Sequence, residues 1–458
     1  MKPLIFPVQM DLVRPEEDAI YMCSNSLGLK PEKVDEYMNE LLDMWANWGV
    51  LFQFEGRFAG RDIDLPPRGA MERMVGGLPY EVALMNGLTV NLHCALIHFY
   101  RPSRERFKIL IESQAFPSDM YAVKSHLSMH GIKDEEGLVL LRPRANEQTL
   151  RKEDILDLIE RNGDEIALIL LPGVQYYTGQ YFDIPTITRA GHEKGCIVGW
   201  DLAHSVGNVE LHLHEWDVDF AVWCTYKYMC GGQGAIGGFF LHEKHWGRDA
   251  PRLDGWWGTR DDVRFRMEAQ IHPAPGADSF RISNPPAWIV VTVLAALEVR
   301  FRSDQHEGND EEAVLVDWVL GTPSEVHQRG TQGKTQGDKV KKKKKGYGFQ
   351  RVSLPHTAQQ RHVIPLRSGD ARCVLSRSRD PITLVTPSDP RERGCMISVA
   401  MDGCGAEEVH EELLKRGVVT DMRVPEVIRV APFPLYNTFE DVWNFVQMLR
   451  DVILLFSS

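Results

Sequence analysis

VDFAVWCTYKYMCGGQGAIGG, residues 218–238, runs from an apolar segment into a lysine between two tyrosines and then into glycine. The apolar part reads as a short buried strand. Lys227 stands at its end, where a lysine is either a solvated loop charge or a nucleophile. The neighbouring stretches decide between these. CIVGWDLAH (196–204) is a second apolar run, closed by Asp201, and IALILLPG (166–173) and FKILIES (107–113) are two more. Helical patterns lie between them, LRKEDILDLIERNG (150–163) and IPTITRAGHEKG (184–195). Short buried strands alternating with helices describe an α/β fold with a mostly parallel sheet.

Upstream, PEKVDEYMNELLDMWANW (31–48) places Pro31 ahead of apolar residues at helical spacing and reads as an amphipathic helix. Near the C-terminus MISVAMD, AEEVHEELLKRGVV and VIRVAPFPLYN read strand, helix, strand, and TFEDVWNFVQMLRDVI a last helix. This is a smaller α+β domain. The expected organisation is an N-terminal segment (1–30), a large domain (31–300), an atypical, disordered insert (301–378) and a small C-terminal domain (379–458). The insert contains TQGKTQGDKVKKKKKGYGFQ (331–350), with five consecutive lysines, Lys341 to Lys345.

The 458 residues carry a net charge of −12. That argues against nucleic-acid binding, whose footprint is a basic surface. No apolar run approaches the roughly 18 residues of a membrane helix. MKPLIFPVQM lacks the apolar length of a signal peptide. The eight cysteines are scattered, without a C-x-x-C pair, which suits a reducing compartment. A cytoplasmic protein is expected.

GQGAIG (232–237) spells a dinucleotide fingerprint, but GFFLHEKHW follows and reads as a strand, whereas the fingerprint needs a helix start. Asp201 is either a helix N-cap or a counter-charge at the carboxyl edge of the sheet, where open α/β sheets bind ligands. His204 lies within reach of that edge, and Lys227 ends the next strand. An acid and an amine facing one crevice suit pyridoxal phosphate, with lysine as Schiff base and carboxylate on the pyridine nitrogen. MNGLTVNLHCALIHFY (85–100) begins a helix whose first turn, with Thr89, offers anion-binding chemistry. FPSD (116–119) adds an aromatic face and two small polar groups, and Phe116 could stack on a flat ring. His212 and His214 would share a face on a strand, but no third ligand of matched spacing appears, so no metal is expected. No G-x-S-x-G elbow is present.

These residues resemble the kynureninases, and more distantly the aspartate-aminotransferase-like fold type I enzymes. The resemblance rests on NSLGL (25–29), MNGLTVNLH (85–93), AFPSD (115–119), YYTGQYFDIPTITRAG (176–191), VGWDLAHSVGNVELHLHEWDVDFAVWCTYKY (198–228), FRISNPP (280–286), ERGC (392–395) and IRVAPFPLYN (428–437). It implies a homodimeric pyridoxal-phosphate hydrolase with a seven-stranded sheet. Such an enzyme cleaves L-kynurenine to anthranilate and L-alanine, and 3-hydroxykynurenine to 3-hydroxyanthranilate and L-alanine. By similarity Lys227 anchors the cofactor, Asp201 pairs with the pyridine nitrogen, and His204 and Tyr226 hold polar atoms, Tyr226 doubling as a proton relay. Leu88 and Thr89 contribute to the phosphate site, and Phe116, Pro117, Ser118 and Asp119 cover the ring. Trp256, from the partner subunit, and Asn284 complete the pocket. Ser26, Asn284 and Arg429 bind substrate, Arg429 through its carboxylate. The pattern departs at Phe52 and Gln53, where a Gly-His pair is usual, at RFAGRDID (57–64), where Arg-Pro-Trp is missing, and at Pro172, where a serine is usual. A related pyridoxal-phosphate aminotransferase or desulfurase, or a catalytically impaired member of the fold, are the alternative readings.

Overall fold

The computed structural model describes residues 19–303, 382–402 and 405–456. Beyond three residues at the end of a helix, the stretch read as an insert, with Lys341 to Lys345, lies outside the described residues. Two compact units are built from the chain, one from the described parts of Met1–Glu32, Tyr177–Gly179 and Val299–Ser458, the other from Lys33–Tyr176 and Gln180–Glu298.

In chain order, strand β1 (Ile20–Tyr21) belongs to the first unit. The second unit follows with α1 (Lys33–Trp48), α2 (Arg68–Val75), β2 (Val82–Met85), α3 (Leu88–Phe99), β3 (Lys108–Glu112) and α4 (Pro117–Met129). It continues through α5 (Asp134–Gly137), β4 (Leu138–Leu141), α6 (Lys152–Asn162), β5 (Ile166–Pro172), α7 (Ile184–Glu193), β6 (Ile197–Asp201), β7 (Phe220–Trp223), β8 (Gly237–Leu241) and α8 (Asp261–Arg264) to the start of α9 (Ala287–Ser303), whose residues from Val299 are counted in the first unit. The seven strands form one sheet in the order β2-β8-β7-β6-β5-β3-β4. From β7 to β4 every pairing is parallel, while β8 runs antiparallel to β7 and to β2.

The apolar runs become strands because both faces are covered. Ile166 to Leu171 of β5 and all of β7 and β8 are buried. Helix α6 buries Ile155 and Ile159, and α7 buries Ile184, Ile187, Thr188 and Gly191, each a single stripe at helical spacing. Asp183 caps α7 by accepting from the Thr186 N–H at 3.2 Å, and Pro185 occupies its first turn. A Cβ at Gly191 would stand 2.5 Å from Val198 Cγ2 and 2.9 Å from Ile169 Cδ1, so only glycine lets α7 lie this close to the sheet. Asn91 of α3 donates to Met85 O at 2.9 Å and Gly238 O at 3.3 Å, tying that helix to β2 and β8.

Three sequence expectations change. Residues 218–228 do not form one long strand: β7 stops at Trp223, and Cys224 to Tyr228 follow in a turn. His212 lies in irregular chain and His214 in a turn, neither on a strand. His212 pairs with Glu210 at 2.8 Å and His214 with buried Glu81 at 3.0 Å. Strands β2 and β4 add to those read from sequence. GQGAIG does lead into strand β8.

In the first unit β9 (Ile382–Leu384), β10 (Ile397–Met401), β12 (Asp421–Arg423) and β13 (Val427–Val430) make an antiparallel sheet in the order β12-β13-β10-β9, and β11 (Val418–Val419) pairs with β1. Helices α10 (Ala406–Lys415) and α11 (Phe439–Phe456) pack together.

Candidate active site

A cavity of about 660 Å³, open mouth included, lies at the carboxyl edge of the parallel strands. Its wall includes Glu112 from the end of β3, Pro172 from the end of β5, Asp201 from the end of β6, and Tyr226 and Lys227 from the turn after β7. Leu88 and Thr89 open α3, and Ser118 and Asp119 lie in the first turn of α4. Two helix N-termini thus meet one cavity, each with unspent backbone N–H groups and a positive dipole end. Their hydroxyls touch, Thr89 Oγ1 to Ser118 Oγ at 2.7 Å. A Cβ at Gly237 would stand 3.3 Å from the Leu88 N and 2.8 Å from Trp223 O, so glycine there lets β8 run beside the start of α3.

The Lys227 ammonium donates to His204 Nε2 at 2.9 Å. Asp201 Oδ1 accepts from the Ala203 N–H at 2.8 Å, a local turn bond rather than a helix cap. Asp119 is buried, and its carboxyl is pushed well above the usual range. Burial is the main cause, followed by the Asp201 charge and a hydrogen bond with Asp201; the Lys227 charge opposes them. Glu112 is raised to about 7 by burial and by Asp201, against the bond it accepts from Gln175 Nε2 at 2.9 Å. Burial, with Cys224 beside it, holds the Tyr226 hydroxyl protonated well above its ordinary range. Phe116 is half exposed and meets Tyr176 edge-on at 5.3 Å.

Of the residues expected at a cofactor site, Leu88, Thr89, Phe116, Ser118, Asp119, Asp201, His204, Tyr226 and Lys227 line this one cavity. Pro117 is the first residue of α4. Trp256 and Asn284 are exposed and not part of the lining; Trp256 Nε1 donates to Arg264 O at 2.9 Å. Ser26 and Arg429 belong to the first unit, where they meet each other and Asp421. Phe52 is buried and Gln53 exposed, both in a short 3₁₀ turn. Sequence reasoning missed Glu112, Gln175 and Tyr176. The ending of β3, ILIE, repeats the apolar-then-acid pattern of VGWD and was a usable signal.

Glu81, His214 and His242 bring three possible ligand atoms within 4.8 Å. Their polar atoms already have partners. Glu81 accepts from the Leu78 and Glu243 N–H groups at 2.8 Å each, and His242 Nδ1 accepts from the Lys244 N–H at 3.2 Å. The trio reads as a hydrogen-bonded clasp.

An anion cradle, a buried carboxylate pair and one lysine at the carboxyl edge of a parallel sheet fit pyridoxal phosphate. Asp119 Oδ1 accepts no hydrogen bond among the described residues, so the wall retains polar capacity. The aminotransferase class-V profile matches residues 79–277. The fold is shared with the cystine C–S lyase C-DES in complex with cysteine persulfide (TM-score 0.67, 16% identity, 94% of this chain and 97% of that one). It is shared equally with an apo cysteine desulfurase from Thermococcus onnurineus NA1 (TM-score 0.67, 14% identity, 95% of each chain). The fold is thus of the aminotransferase class-V type, with a cavity whose lining fits pyridoxal phosphate.

The kynureninase C-terminal domain profile matches residues 366–449. Kynureninase of Homo sapiens is 42% identical over 447 residues, covering 98% of this chain and 87% of that protein. Kynureninase of Flavobacterium psychrophilum is 39% identical over 440 residues, covering 96% and 92%. The chain belongs to the kynureninase family.

Proposed function

We propose that this protein hydrolyses the Cβ–Cγ bond of L-kynurenine and 3-hydroxykynurenine, releasing anthranilate or 3-hydroxyanthranilate together with L-alanine. The observation that carries the reading is the joining of Lys227, His204, Asp201 and Asp119 in one cavity with two helix N-termini, in a chain of this family. Bound pyridoxal phosphate supplies an electron sink conjugated to the substrate's α-amino group. The α3 and α4 N-termini, with Thr89 and Ser118, receive its phosphate. Asp201 would hold a proton on the pyridine nitrogen, its Oδ1 kept oriented by the Ala203 N–H, with Asp119 beside it in the wall. Phe116 covers the ring and His204 orients the cofactor's polar edge. Lys227 anchors the cofactor and then carries the proton at the substrate Cα. Tyr226, protonated at neutral pH, is able to donate at the reacting side chain. Arg429, with Ser26, takes the α-carboxylate as a planar two-donor fork, and Asn284 assists.

The active form is a homodimer. Trp45, Trp48, Val50, Leu51, Phe54 and Phe265 are exposed on the second unit. Ring contacts run from Phe54 to Phe265 at 5.4 Å and from Phe265 to Trp256 at 5.5 Å. An apolar surface of this kind fits a second copy, with Trp256 reaching the partner's pocket. Buried thiols such as Cys94 and Cys224 suit a cytoplasmic setting. Among the described residues no helix is long and apolar enough to cross a membrane. The proposed domain organisation is an N-terminal segment (1–30), a large cofactor domain (31–300), an insert (301–378) and a small C-terminal domain (379–458).

The test is turnover of kynurenine by the purified protein, followed by anthranilate fluorescence, beside a Lys227→Ala control. Wild-type anthranilate release that vanishes in the control supports the hydrolase. Transamination without anthranilate, or sulfur release from cysteine, would turn the reading to an aminotransferase or desulfurase.

A further inference from the structure

Strands β12 and β13 pair antiparallel with Asp421 directly opposite Arg429, so the two side chains share one face of the sheet. Arg429 is 1% exposed. Its Nη2 donates to Asp421 Oδ2 at 2.6 Å and to Ser26 Oγ at 3.3 Å. The Ser26 hydroxyl in turn donates to Asp421 Oδ2, closing a three-membered ring of hydrogen bonds. Arg423, two residues along β12 and on the same face, reaches the same Asp421 oxygen at 3.3 Å from a half-exposed position. One carboxylate therefore serves two guanidinium groups.

We propose that Asp421 is a positioning residue for substrate binding: with Ser26 it fixes the Nη2 corner of Arg429, so that the guanidinium presents one set orientation to the α-carboxylate of the substrate. This rests on the reading of Arg429 as carboxylate receptor. A guanidinium on a long side chain recognises a carboxylate by two parallel bonds only when its plane is fixed. Cross-strand register brings Asp421 opposite it, and the charge-assisted bond holds the plane. An arginine without such a holder would still attract anions, but at many angles.

The experiment compares kcat and KM for kynurenine in wild type, Asp421→Ala, Asp421→Asn and Arg429→Gln, with thermal unfolding and the absorbance of bound cofactor as folding controls. Asp421→Ala is expected to raise KM about tenfold or more while kcat changes by less than about threefold, since a misaligned binding group costs association of the substrate. Asp421→Asn retains an acceptor oxygen and is expected to recover most of that loss, leaving KM raised about two- to threefold. If Asp421→Ala does not fold with cofactor, Asp421→Asn decides alone. An unchanged KM in the folded Asp421 variant overturns the proposal, as does a loss confined to thermal stability. Arg429→Gln separates the two failures. A raised KM there with none in Asp421→Ala sinks the Asp421 role only. An unchanged KM in Arg429→Gln sinks the carboxylate reading and this proposal with it.

Discussion

Glu112 and Asp201 each close a buried strand, and both bring a carboxylate to the wall of the same cavity. Asp201 was legible because it stands beside His204 and ahead of the Tyr-Lys-Tyr segment; Glu112 was not, because its partner Gln175 is remote in sequence and adjacent only in the fold. The same holds for the raised carboxyl of Asp119, which depends on burial and on Asp201 and has no signature in FPSD. Glu112 gives a pH prediction. Its folded value of about 7 lies above the ordinary 4.5, so its contribution to stability is full below about 4.5 and is lost as pH rises through about 7. Asp119 acts in the same direction. In the protein freed of cofactor, Glu112→Gln is expected to flatten that part of the pH–stability curve and to raise stability above pH 7 relative to wild type. Chemical denaturation at several pH values checks this; an unchanged slope rejects it. At the same scale, Lys227→Ala is expected to remove the visible absorbance of the bound cofactor and to lower kcat by at least about 10²-fold. A retained band would show that another group is the anchor.

Helices and central strands were readable from periodicity and terminators, as α6, α7 and β5 show, because each carries a single code: one apolar stripe, or a short run with both faces buried. Strand β2 was not, since VALM merges with the apolar pattern of α3 and only the turn at Asn86 and Gly87 divides them. The end of β7 was overrun for a similar reason: CTYKY keeps strand-forming residues although the chain has already turned. Tertiary charge pairing is the other hidden layer. Asp219, just ahead of β7, receives the Val198 N–H at 2.6 Å, His192 Nε2 at 2.8 Å, His245 Nε2 at 2.7 Å and Lys244 at 3.0 Å. Burial would raise its carboxyl, but the bonds from His192 and His245 and the charge of Lys244 outweigh it and hold Asp219 well below its ordinary range. It joins α7, β6 and the turn after β8. Asp219→Ala is expected to cost about 3 kcal/mol or more at neutral pH, because it leaves buried donors without their acceptor. Because the folded value is depressed, wild type loses this stabilisation only as pH falls below the ordinary carboxylate range near 3.8. The difference between wild type and variant, read from urea midpoints, should therefore shrink below that pH and stay constant above it.

At the scale of the molecule, the resemblance read from scattered motifs extends over nearly the whole chain, and Trp256 is the residue that ties the proposed site to a second copy. Its indole stands outside the cavity that holds Lys227, packed edge-on against Trp257 at 5.6 Å and Phe265 at 5.5 Å on an apolar surface. If Trp256 completes the partner's site, Lys227→Ala and Trp256→Ala damage different sites in a mixed dimer. The chain with Trp256→Ala keeps its own Lys227 and receives an intact Trp256 from the Lys227→Ala chain. One competent site per mixed dimer follows, so unfolding and refolding the two inactive variants together should restore up to about a quarter of wild-type turnover: half the random dimers are mixed, and each has one working site of two. Refolding each variant alone provides the baseline. Restoration on mixing places Trp256 across the dimer; activity that stays at the mean of the two variants places its effect within its own subunit. Sedimentation of the same samples fixes whether dimers formed, so that absence of restoration in a dimeric mixture counts against the shared site.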